Sequence, residues 1–231
     1  MKKPINLRTA LRVGWPIWLF GCSLALAQTP SPSSDTNNQQ ALVQRIRKGD
    51  TQAIAEAATS SDKVFVPYLR QAMKSTSGPD LKKAARLALA ELGEAKELQE
   101  QWCLVLSSYP EMADLGKVGG WYAIRGLALF LGPEGLKLVR PASPKQATKA
   151  TDVSYPPPSY IAIKTLSSLV PDPPARFDAT LGPPELDKVA QVWRDWIAAH
   201  RDELSRLQPT GEGVDFSPNA CKNGKPRKKH N

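Results

Sequence analysis

The sequence predicts an all-α fold, a stack of antiparallel helix pairs closed by one long capping helix. Three observations predict it. Apolar residues recur at spacings of three and four through most of residues 40–210, the period of helices with one buried face. Strand-like alternation is nearly absent there, and Gly, Pro and capping residues punctuate the apolar stretches. Finally, a short pattern recurs. Leu81-Lys82-Lys83-Ala84-Ala85-Arg86-Leu87-Ala88-Leu89 is echoed by Ala123-Ile124-Arg125-Gly126-Leu127 and by Ala162-Ile163-Lys164-Thr165-Leu166. The offsets from Lys82 to Arg125 and on to Lys164 are 43 and 39, near the period of roughly 40 to 47 residues typical of helix-pair solenoids.

Taken in order, a first helix is expected over 39–48, with Leu42, Val43 and Ile46 on one face. Asp50 reads as the N-cap of a short second helix carrying Ile54 and Ala57. Asp62 caps a third, in which Phe65, Val66, Leu69, Ala72 and Met73 form a stripe and Pro67 is tolerated near the first turn. Ser77-Gly78-Pro79 ends it. Pro79 suits the first turn of the next helix, whose stripe of Leu81, Ala84, Ala85, Ala88, Leu89 and Leu92 stops at Gly93.

These residues resemble a HEAT repeat. The match is Val66-Pro67-x-Leu69 in one helix and Asp80-Leu81-Lys82-Lys83-Ala84-Ala85-x-x-Ala88-Leu89-x-x-Leu92-Gly93 in its partner, over Asp62 to Gly93. Lys82 stands where the family more often has Arg, and Ala90 where it often has Gly. The resemblance implies a HEAT-like α-solenoid, a right-handed stack that offers binding surfaces.

Further helices are expected over 94–107 (Leu98, Trp102, Leu104, Leu106), 117–131, 133–139 and 160–170. Two Pro-rich loops, 141–158 and 171–184, interrupt them. The last helix is read from Glu185 to Leu207 through Leu186, Val189, Trp193, Trp196, Ile197, His200, Leu204 and Leu207, as a terminal cap.

The ends carry different signals. Residues 1–27 have a basic start (Lys2, Lys3, Arg8, Arg12), an apolar stretch from Val13 to Leu26 and the ending Ala25-Leu26-Ala27, the parts of an export signal. Export to the periplasm or beyond is therefore expected, with residues 28–39 as a polar spacer. Leu19-Phe20-Gly21-Cys22 also resembles a lipobox, which makes lipidation at Cys22 a minor alternative; the bulky Phe20 departs from that pattern. Residues 211–231 read as an extended basic tail. Of the net charge of +9, four bases lie in 1–27 and five in the tail (Lys222, Lys225, Arg227, Lys228, Lys229), so residues 28–221 are balanced. That distribution argues against a nucleic-acid-binding body and leaves weak contact of 222–231 with an anionic surface, or simple solubilisation, as readings of the tail.

No catalytic, cofactor or metal constellation is visible in the sequence. The chain has two histidines, His200 on the last helix and His230 in the tail. Gly119-Gly120 and Gly211-Glu212-Gly213 lack the pattern of a phosphate loop. Glu91, Glu94, Glu97 and Glu100 read as a solvated helix face. Cys103 and Cys221 remain beside Cys22; an oxidising compartment permits a bridge between them, against the alternative of two free thiols. Tyr155 and Tyr160, which flank a Pro-Pro-Pro-Ser segment, and Trp193 and Trp196 on the last helix are the residues for a protein partner, with inter-repeat packing and core as their competing roles. The function expected is thus an exported, non-enzymatic scaffold for a protein partner. The alternative is an enzyme or small-ligand receptor with its site between the 141–158 and 171–184 loops.

Overall fold

A computed structural model describes residues 34–74, 78–108, 111–132, 135–138, 156–222 and 225–226. Most of it is helical, with almost no strand. Helix α1 (Ser34–Arg47) and α2 (Thr51–Thr59) meet at Asp50, whose carboxylate accepts from the Gln52 and Ala53 amides at 2.9 and 3.1 Å. Asp62 caps a 3-10 turn in the same way before α3 (Val66–Lys74). Helix α4 (Pro79–Glu91) opens on proline, and Gly93 follows it with a φ of +80°, the left-handed position that glycine fills at a helix end.

Two apolar cores result. The first joins α1 to α4 through Ile46, Ile54, Phe65, Leu69, Ala85 and Leu89. The second begins at α5 (Ala95–Ser107) and gathers Trp102, Tyr122, Phe130, Leu166 and Trp193. Each fully buried large side chain contributes about 1.5–3 kcal/mol. Helix α4 serves both cores, because its Ala90 faces the second while Leu81, Ala85, Ala88, Leu89 and Leu92 face the first.

The helix boundaries differ from those read from sequence at the first helix, where α1 begins at Ser34 inside the expected 28–39 spacer, and again beyond α5. The helix expected over 117–131 is two, α6 (Met112–Val118) and α7 (Gly120–Ala128). Gly119 and Gly120 break them apart with φ of +72° and +63°. Trp121 and Tyr122 amides, unpaired by any helix at this first turn, donate to Leu207 O at 3.1 Å and Pro209 O at 2.9 Å. A distant segment therefore completes the helix start. Helices α8 (Gly135–Leu138) and α9 (Pro158–Leu169) follow.

The long last helix also divides, into α10 (Pro183–Ala199) and α11 (Arg201–Leu204). At the junction His200 Nδ1 donates to Trp196 O at 2.8 Å, and the His200 amide shares that carbonyl at 3.0 Å. The C-terminal segment is not an extended tail from residue 211. Residues 207–222 form a strap across α5 and α7, with Val214 and Phe216 each 8% exposed. Phe216 packs 5.1 Å from the Trp102 ring and 5.6 Å from Tyr122, under the Arg125 guanidinium. Gln99 pairs twice with the Asp215 backbone, and Cys103 is disulfide-bonded to Cys221. The strap ends in a hairpin of β1 (Cys221–Lys222) and β2 (Lys225–Pro226).

Candidate functional site

The residues singled out for partner binding fall in different environments. Tyr155 and Cys22 lie outside the described residues. Trp193 is fully buried and belongs to the second core, so it is no exposed platform. It shares the centre of the buried α10 face with Leu186, Ala190 and Ile197, whereas Trp196, three residues on, sits about 60° off that centre. Trp196 is half-buried and stacks on His200 at 4.6 Å, beside Val192, which is 43% exposed. Tyr160 is half-buried and meets Phe177 edge-to-face at 4.7 Å, which ties α9 to the 171–182 loop.

A cleft of about 440 Å³ opens where Pro157, Pro158 and Ser159 approach Pro183 at the start of α10. Its floor is apolar, since Phe130, Leu131 and Leu186 are each at most 3% exposed. Its polar groups are the Ser159 hydroxyl, the exposed Asp187 carboxylate and the Arg194 guanidinium. Arg194 is already engaged, donating to Leu131 O and to Gln191 Oε1. Chemically the cleft suits an apolar or proline-like group bordered by one fixed acid.

A second cavity, also about 440 Å³, is lined by Lys63, Gly93, Gln208, Thr210 and Glu212, where the strap passes the α4–α5 turn. Near it, Glu97 corrects the solvated-face reading. It is 1% exposed, and burial pushes its carboxyl above the ordinary range. The turn at Gly93 folds α5 back along α4, which itself packs on α3, and Arg70 of α3 reaches Glu94 at 2.6 Å and Glu97 at 3.9 Å.

A third polar cluster joins α4 to α6. Lys83 Nζ lies 2.6 Å from Asp114 and 3.3 Å from Glu111, and Lys117 lies 2.7 Å from Asp114. Asp114 is 3% exposed. Burial pushes its carboxyl up, but hydrogen bonds from Lys117 and Lys83 outweigh that and hold it below the ordinary value. A depressed carboxylate pKa gives stability that is present above the unfolded value of 3.8 and lost as pH falls through the folded one. Asp114→Asn is therefore expected to be less stable than the native chain at neutral pH. The difference should shrink as pH falls below the ordinary carboxylate range, checked by urea midpoints across pH.

Among the described residues, no group of three His, Cys, Asp or Glu side chains could hold a metal ion, and no helix is long and apolar enough to cross a membrane. No protein-family model, curated protein or solved structure matches the chain. A Cys103–Cys221 bridge implies in sequence that residues 213–216 are pinned onto the Trp102 helix, as the structure has them; sequence reasoning missed the strap's contact with the start of α7, the Lys83–Asp114 cluster and buried Glu97. The one local signal for the strap was the isolated apolar pair Val214 and Phe216 inside a polar segment.

Proposed function

We propose that the chain is an exported, non-enzymatic scaffold of HEAT-like helix pairs that binds a protein partner at the proline-lined cleft. The observation that carries this reading is the cleft itself, an apolar floor walled by Pro157, Pro158 and Pro183. Such a surface fits an extended segment that brings one apolar anchor, the usual centre of a protein interface. The stacking reading draws support from the order of the main helix contacts. Helix α4 packs on α2, α3, α5 and α6; α6 on α7 and α9; and α9 on α10, largely neighbours in chain order, as in a solenoid. In this reading α10 caps the stack. Export rests on the signal-like residues 1–27.

The test is capture of envelope proteins by the native chain and by Ser159→Glu, a change at a half-buried position that lines the cleft and belongs to neither core. A partner retained by the native chain should bind the variant at least ten-fold more weakly, the size expected for a charge placed in an interface centre. Equal retention by both would remove the cleft from the interface. A second reading, a small-ligand receptor or an enzyme at the same cleft, is favoured by its volume, which lies within the range of small-molecule sites. It predicts that a small ligand raises the melting temperature, and that this rise disappears when the cleft is filled.

A further inference from the structure

We propose that the hairpin at Cys221–Pro226 is a docking site for a phosphate-bearing lipid surface, held rigidly against α5. In the β1–β2 register Lys222 stands directly opposite Lys225. Like charges facing each other across two strands repel, and two-residue strands have little cohesion of their own. Two attachments hold this pair together. Cys221, the residue before Lys222, is bonded to Cys103 on α5, and both strands pack against α5. Both lysines are exposed, and neither makes an ion pair among the described residues. The architecture thus keeps two ammonium groups side by side and unneutralised.

The sequence around them strengthens the point. Arg227, Lys228 and Lys229 follow, and residues 222–231 contain no acid, while residues 28–221 are balanced. Outside residues 1–27, the excess positive charge therefore lies in 222–231. A run of bases attracts any polyanion, but binders of single-stranded nucleic acid add aromatic side chains for base stacking. Residues 222–231 hold no Phe, Tyr or Trp. Recognition by charge alone matches the headgroups of an anionic membrane, where juxtaposed bases act additively. The disulfide fixes Cys221 to α5, so Lys222 and Lys225 arrive as a pair carried by the body. This proposal does not depend on the partner at the cleft.

The test measures binding of the full chain to vesicles of phosphatidylcholine alone and of phosphatidylcholine with about a third phosphatidylglycerol. The quantity read is the ratio of the two affinities on the same chain, which cancels any apolar contribution from residues 13–26. The native ratio should be well above one and collapse in about 0.5 M salt. Lys222→Gln with Lys225→Gln should lower it about 25-fold, at about five-fold per base. Lys82→Gln with Lys164→Gln, two exposed bases on helices, should leave it unchanged. Helical content and the absence of free thiol at Cys103 and Cys221 establish that the hairpin variant is folded. A native ratio near one overturns the proposal, and so does a hairpin variant that keeps the native ratio. Tighter binding to an RNA oligomer than to the anionic vesicles would reassign the hairpin to nucleic acid and equally overturn it.

Discussion

Replacing Cys103 and Cys221 together by alanine is expected to lower the unfolding free energy by about 4 kcal/mol. The two residues are 118 apart in sequence, so the bond closes a loop that spans the whole second core, and long loops gain most from closure. Alanine is the right replacement, because serine would add hydroxyls at positions only 1% and 6% exposed. A domain has about 5–15 kcal/mol in total, so a loss of that size brings the variant near its threshold. The damage should start at the strap. Without the bond, residues 207–222 are held by Phe216, by Gln99 and by the two amides of α7. Hydrogen exchange at Trp121 and Tyr122 should therefore rise before exchange in α2 to α4 does. A loss below about 1 kcal/mol in urea unfolding would mean that packing alone secures the strap.

Gly120→Ala should cost about 3 kcal/mol, the sum of left-handed backbone strain and a steric collision. A Cβ there would lie 2.4 Å from both Gln208 C and Gln208 O, backbone atoms that cannot swing aside. Gly213 isolates the first contribution. Its φ is +79°, and nothing lies within 4 Å of where its Cβ would be, so Gly213→Ala should cost only about 1 kcal/mol. Comparison of the two urea midpoints separates close approach from strain. Equal losses would contradict the strap's contact with α7.

Both predictions concern the strap, of which sequence reading reached only the pinning of 213–216 by a Cys103–Cys221 bridge and not the contact with α7, and the reason is physical. Helices α2, α3, α4 and α5 are legible because the signals that make them are local. Asp50 and Asp62 sit at the caps they form, Pro79 at a first turn and Gly93 at a helix end. The break at Gly119–Gly120 looks from sequence like a weak spot inside one helix. Its purpose depends on Gln208 and Pro209, which no local pattern connects to it. Phe216 is likewise a lone apolar residue whose partners, Trp102 and Tyr122, lie far back in the chain.

The candidate site divides in the same way. Pro-rich loops flag the cleft from sequence, since Pro157, Pro158 and Pro183 line it. Its floor was hidden, because Phe130 and Leu131 read as the end of a helix. Spacing identified the apolar face of α10 but could not rank Trp193 against Trp196. Both belong to the stripe, and only packing decides which lies at its centre. Glu97 shows the opposite error. Its spacing suggests a solvated row, and the turn that folds α5 back along α4 leaves it buried.

The measurement that bears most directly on the scaffold reading is lysine-reactive cross-linking of the full chain in its native envelope, followed by mapping of the joined residues. The account predicts one dominant protein partner, joined through Lys188, which adjoins Asp187 at the cleft, and lost in Ser159→Glu. No partner above background, or cross-links confined to Lys48 and Lys74 on the α1–α3 side and unchanged in Ser159→Glu, would contradict it.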